Sequence, residues 1–286
     1  MKKCFVMVLL CCLLVAGTAF AKTGTLLVAF GTSMDSARPA IDDIEKAYKK
    51  AAGNEPVLLA FTSDIIRNKL AKEGKPVLSV NAAMNELAAQ GVTDLKIQSL
   101  HIAPAEEYNQ LERMVVKNIT KNPGVFKTVK VGYPLLVSEK DLDAVVKVVL
   151  ASLPKDRKPG DAVVLMGHGN DRGPGDLTLA ATAAAFHKAD PHVWLATVEG
   201  SNSFDNVLPK LKASGAKRVW LQPFMIVAGD HANNDLAGLE EDSWASRIKA
   251  AGMTPKDLGQ LKGIQDIFLS HTQNAVVDLA NTKKAD

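Results

Sequence analysis

The chain has 286 residues, of which 47% are hydrophobic, 23% charged and 5% aromatic. That composition excludes a disordered chain, a collagen-like repeat and a disulfide-rich miniprotein, and the length suits two ordinary domains or one large α/β domain. The formal net charge is +3, and removing Lys2 and Lys3 with an N-terminal segment that reads as cleaved leaves +1. Such a balance does not suggest a nucleic-acid or polybasic membrane binder.

Residues 1–21 read as an export signal: Lys2-Lys3, an apolar run over 5–15, then Ala19-Phe20-Ala21 as a small-x-small cleavage site. The apolar run is short for a membrane span and Lys22 follows it, so no stable membrane anchor is expected; an uncleaved anchor is the alternative. Cys4, Cys11 and Cys12 all lie in this segment, and Leu10 is not the small residue that a lipoprotein signal wants before Cys11. A mature chain starting at Lys22 would hold no thiol, which excludes disulfides, CxxC redox chemistry and Cys-ligated metals. The expected compartment is the bacterial periplasm.

Beyond residue 22, apolar β-rich runs alternate with amphipathic stretches, the pattern of parallel α/β architecture. Strands are expected at 25–30, 56–61, 95–102 and 125–131, with helices at 36–52, 64–73, 79–90 and 106–120. The pattern then restarts: helix 138–153, strand 162–166, helix 176–189, strand 192–198, helix 204–213, strand 218–227, and helices at 235–250 and 264–281. This divides the mature chain into an N-terminal half, 22–137, and a C-terminal half, 138–286.

The halves match each other. LAAQGVTDLKIQSLHIAPAEE (87–107) lies on LKASGAKRVWLQPFMIVAGDH (211–231) without gaps, pairing Gly91 with Gly215, Gln98 with Gln222 and Glu107 with His231. The first strands pair Phe30 with His168 and Gly31 with Gly169; the second strands pair Ser63 with Glu199. Matched segments in one order point to a duplicated fold.

In open parallel sheets ligands sit beyond the carboxyl ends of the strands. His168, Glu199 and His231 fall at three such ends in the second half, and two imidazoles with a carboxylate suit a divalent ion such as Co²⁺, Fe²⁺, Ni²⁺ or Zn²⁺. Their counterparts Phe30, Ser63 and Glu107 offer one ionisable group, Glu107, which could face the site across a cleft. Each has a bland alternative: His168 as a turn residue between glycines, Glu199 as a cap for the next helix, His231 as a helix opener. His101, at another strand end, is a second contact candidate or a satisfied structural histidine. His187 and His192 read as surface residues and His271 as structural. No GxxxxGK[ST], GxGxxG or GxSxG pattern is present, so neither nucleotide binding nor an α/β-hydrolase is supported.

These motifs resemble a known family. VVLMGHGN (163–170), TVEG (197–200), QPFMIVAGDHANNDLAG (222–238) and EDSW (241–244) are similar to the cobaltochelatases of the CbiK type; LLVAFGTS (26–33) and SLHIAPAEEY (99–108) match that family's N-terminal half. The resemblance covers about residues 24–275. It implies two Rossmann-like parallel-sheet halves related by duplication, in a ferrochelatase-like chelatase fold. It also implies a lyase-class enzyme that inserts Co²⁺ into sirohydrochlorin without ATP or any prosthetic group, with Fe²⁺ or Ni²⁺ also compatible with the ligand set. His168 and His231 carry over as metal-binding and proton-accepting histidines and Glu199 as the carboxylate ligand. Glu107, His101 and Ser33 are candidates for tetrapyrrole contact, with Glu106 an alternative to its neighbour. Arg38, Arg67, Arg113 and Arg172 are candidate partners for the substrate's carboxylates, or solvated surface charges. Chains of this kind often self-associate, so a homo-oligomer is among the expectations. A periplasmic carrier of metal or tetrapyrrole with the same fold is the alternative function, and a metal-dependent hydrolase a third. The export signal departs from the family, whose pathway is normally cytoplasmic.

Overall fold

The computed structural model describes residues 21–171, 173–229, 232–238, 240–253 and 256–281. Residues 1–20, which hold all but Ala21 of the segment expected to be an export signal, lie outside the described residues, as do Arg172 and His231.

The first half runs β1 (Thr23–Ala29), α1 (Arg38–Ala52), β2 (Val57–Phe61), α2 (Asp64–Lys72), α3 (Val80–Ala89), β3 (Asp94–Ser99), α4 (Glu106–Lys121) and β4 (Thr128–Gly132). The second runs α5 (Glu139–Ala151), β5 (Ala162–Gly169), α6 (Gly173–Ala189), β6 (Val193–Glu199), α7 (Phe204–Ala213) and β7 (Val219–Pro223). It continues through a π-helical turn (Ala232–Leu236), α8 (Trp244–Ile248), β8 (Gly252–Met253), a 3₁₀ turn (Leu258–Gln260) and α9 (Lys262–Gln273).

Two parallel four-stranded sheets result, ordered β2-β1-β3-β4 and β6-β5-β7-β8. The central strands β1 and β5 carry unbroken apolar runs because helices cover both their faces. The ladders verify the internal match residue by residue. Leu27 pairs with Leu59 and Gln98 in one sheet, and Leu165 with Leu195 and Gln222 in the other. These residues are equated by the offsets that align Phe30 with His168, Ser63 with Glu199 and Gln98 with Gln222.

A central core joins the halves, with Leu27, Phe61 and Leu100 in one cluster with Val163, Leu195 and Phe224. Two further clusters back the sheets, one around Leu26 and Ile97, the other around Val164 and Leu221. Helix α9 crosses to the first sheet and contacts β3 and β4 as well as α5. There Thr272 Oγ1 donates to Gln98 Oε1 at 2.8 Å and meets Tyr48 Oη at 2.7 Å, all buried. His271, read from sequence as structural, bridges Asp141 on α5 at 2.9 Å and the Tyr133 carbonyl after β4 at 3.2 Å.

Three of the expected elements differ most in extent. The helix expected over 235–250 is broken: the π-helical turn closes with Gly238 N donating to Asn234 O at 3.0 Å, and Ser243 then caps a new, short α8. Gly238 and Ser243 are stop and start signals that the amphipathic pattern overrode. The expected strand over 218–227 stops at Pro223, one last bond from Phe224 N to Met166 O at 2.6 Å closing the ladder with β5. The helix expected to run to 281 ends at Gln273. The following segment covers the edge strand β4, with Val129 N donating to Asp278 Oδ1 and Leu279 N to Val129 O.

Candidate active site

The loops beyond the strand ends of both sheets enclose a cavity of about 430 Å³. The first half contributes residues 29–34 at the end of β1 and 100–103, 105 and 107 after β3; the second contributes 167–170 at the end of β5 and 224–227 and 229 after β7. Among the described residues lining it, the ionisable ones are His101, Glu107 and His168. The rest of the wall is largely apolar, including Phe30, Ile66, Ile102, Leu179 and Ile226.

His168 is the penultimate residue of β5 and its side chain is exposed to the cavity. Its Nδ1 lies 3.1 Å from Gly169 O. A carbonyl only accepts, so this contact calls for a proton on Nδ1, and in the neutral ring the lone pair is then carried by Nε2. Gly169 adopts φ +91°, and a Cβ there would collide with the carbonyl of its ladder partner Glu199. Only glycine permits this approach, which sets the end of β6 against the loop of His168.

Glu199 therefore sits at the neighbouring strand end, exposed, beside the cavity lining rather than within it. Ser203, not Glu199, caps α7, so the capping alternative is not realised. The loop after Glu199 is tied down by Asp176 in the first turn of α6, whose Oδ1 accepts from Ser201 N at 2.9 Å and Ser201 Oγ at 3.1 Å. The loop after β7, which leads toward His231, is pinned as well: Leu258 N donates to Met225 O and Ala228 N to Asp257 Oδ2 at 3.0 Å. Burial pushes the Asp257 carboxyl up, opposed by that bond. Among the described residues, no group of three or more His, Asp, Glu or Cys is arranged to hold a metal ion.

From the first half, His101 enters the wall with Ser99 Oγ 2.8 Å from its Nδ1 and with a buried Nε2 lacking a partner. Burial holds its pKa down, to about 4. The adjacent glutamates separate: Glu107 lines the cavity, whereas Glu106 is exposed and pairs with Arg113 on the outer surface. Ser33 lines the cavity too. Arg38 pairs with Asp42 at 2.7 Å and Arg67 with Asp64; no described arginine or lysine is part of the lining.

Sequence reasoning missed the apolar side of the site. The run from Phe224 to Val227 reads as the continuation of a strand, yet it is loop that lines the cavity. An apolar run extending past Pro223 was the available signal. Thr32 and Asn170, both in the lining, were not singled out, although they lie past strand ends in the motifs LLVAFGTS and VVLMGHGN.

Two parallel sheets facing one cavity across their strand ends make up a fold that this chain shares with solved chelatases. SirB from Bacillus subtilis with Fe³⁺ superposes with a TM-score of 0.67 at 15% identity, over 88% of this chain and 94% of that one. The sirohydrochlorin chelatase SirB from Bacillus subtilis subspecies spizizenii in complex with cobalt gives 0.64 at 13%, with the same coverage. The cobalt chelatase (CbiK) family matches residues 23–277, and the chain belongs to it. The chain is 37% identical to sirohydrochlorin cobaltochelatase CbiKC of Nitratidesulfovibrio vulgaris, over 89% of its own length and 91% of that protein's. It is 33% identical to the sirohydrochlorin cobaltochelatase of Salmonella typhimurium, over 89% and 97%.

Proposed function

We propose that the chain inserts Co²⁺ into sirohydrochlorin without ATP, in the cavity between its two sheets, after export to the periplasm. The observation that carries the reading is the convergence of His168 from one half with His101 and Glu107 from the other on one largely apolar cavity. It occurs in a chain 37% identical to a sirohydrochlorin cobaltochelatase. Insertion exchanges two pyrrolic protons for one divalent ion. The protein must hold the macrocycle, accept those protons and deliver the ion partly stripped of water.

His168 offers Nε2 as the lone pair for the metal or for a pyrrole proton, and His231 is the second imidazole of the same role. Glu199 offsets positive charge as the ion sheds water. Glu107, facing from the other half, is placed to take up protons. Two imidazoles and a carboxylate bind a divalent ion without the thiolates that would resist its release. The same set suits Fe²⁺ and Ni²⁺. Export rests on Lys2-Lys3, the apolar run and Ala19-Phe20-Ala21, which favour a mature start at Lys22.

The test is a metallation assay on the chain beginning at Lys22, with sirohydrochlorin and Co²⁺, Fe²⁺ or Ni²⁺ in turn, followed by absorbance. Many turnovers per chain with Co²⁺ are expected. Saturable binding of one equivalent without turnover would favour a carrier instead, and intact mass showing Met1 retained in the native host would refute export.

A further inference from the structure

The exposed phenyl ring of Phe30 is the feature that the metal chemistry leaves unused. Phe30 is 52% exposed, directly after a strand whose residues from Gly24 to Ala29 are all buried, and it lines the cavity. Its backbone is rigidly held. Thr62 N donates to Ala29 O at 2.9 Å and Ser63 N to Phe30 O at 3.2 Å, continuing the β1–β2 ladder past the strand end. The next residue, Gly31, turns at φ +114° with the Phe61 ring packed where a side chain would stand. The strand end thus presents a large, half-exposed apolar ring on the cavity wall, a surface against which a flat conjugated face can pack.

By the register of the two sheets, Phe30 occupies in the first half the position that His168 occupies in the second. Both side chains line the same cavity from opposite halves. Resting on the proposed reaction, we infer that Phe30 is the stacking platform for one face of the macrocycle while His168 addresses the metal from the other face. A phenyl ring stacks on a flat conjugated ring but offers no lone pair. The platform therefore holds the substrate without giving the inserted cobalt a second axial ligand. With imidazole on both sides, the product would be clamped by two metal–nitrogen bonds. Replacing the histidine of one half by phenylalanine in the other lets the product leave.

The experiment uses Phe30→Ala, Phe30→Leu and Phe30→His in the mature chain, each checked for its fold by circular dichroism. Binding of metal-free sirohydrochlorin is read by its fluorescence, Co²⁺ binding without tetrapyrrole by calorimetry, and release of cobalt-sirohydrochlorin by dilution. Phe30→Ala should weaken sirohydrochlorin binding about tenfold, and Phe30→Leu less, with Co²⁺ affinity unchanged. Phe30→His should slow product release about tenfold or more, with an absorbance spectrum shifted by the second nitrogen ligand. Wild-type sirohydrochlorin affinity in Phe30→Ala, or product release from Phe30→His at the wild-type rate, would overturn the inference while leaving the chelatase reading intact. A wild-type chain that binds no sirohydrochlorin would sink that reading itself.

Discussion

His101 shows how one buried side chain sets a pH limit. Its Nε2 is enclosed without a partner and burial holds its pKa to about 4, against an ordinary value of 6.5. Between those values the unfolded chain binds a proton that the folded chain refuses, so stability rises with pH across that window. The contribution is complete above about pH 6.5, drains away toward pH 4 and is flat below, for a total of up to about 3 kcal/mol. Urea unfolding at pH 7.5 and 4.5 should show His101→Gln losing less stability on acidification than the parent; equal losses would contradict this. At the same scale, adjacent residues were illegible in one dimension. Glu106 and Glu107 are chemically alike, and only the start of α4 decides that Glu107 faces the cavity while Glu106 pairs with Arg113. Phe30 was visible merely as the non-ionisable counterpart of His168, because an apolar residue after an apolar strand gives no sign of being exposed.

Among the elements, α9 carries the clearest structural test. Thr272 has one hydroxyl proton, and with it donated to Gln98 Oε1 the contact with Tyr48 is the tyrosine's own donation. Burial pushes the Tyr48 phenol up, which keeps it a proton donor. Thr272→Val preserves shape but strands both partners in the core, so it should cost about 1–3 kcal/mol in chemical denaturation. A neutral effect would show that water reaches this junction. The strands and most helices were legible because their apolar periods are long and their caps ordinary: Ser63, Ser79, Ser138 and Ser203 each accept from a backbone N–H of the helix they open. The stretch around 235–250 was not, because its amphipathic pattern continues across Gly238 and Ser243 while the hydrogen bonds do not. β8 has two residues, too few for any periodicity.

Over the whole molecule, duplication explains both the fold and its asymmetry. The ladders keep one register in both sheets, but the strand-end chemistry has diverged: His168 and Glu199 stand where the first half has Phe30 and Ser63. The architecture was legible because the match from 87 to 107 is gapless. The cavity was not, since it depends on how far loops such as 224–229 fold back between the halves. If metal binding is concentrated in the second half, Glu199→Gln should weaken Co²⁺ binding about tenfold or more in calorimetry. Glu107→Gln should leave that affinity near the parent's and instead slow turnover; equal losses of affinity would mean a site shared across the cleft. The most direct measurement is the steady-state rate of cobalt insertion into sirohydrochlorin by the chain beginning at Lys22 beside its His168→Ala variant, at saturating substrates. The parent should turn over many times and the variant should fall about 10–100-fold or further with its circular dichroism unchanged. A variant that works at the parent's rate, or a parent that binds one equivalent and stops, would contradict insertion at His168.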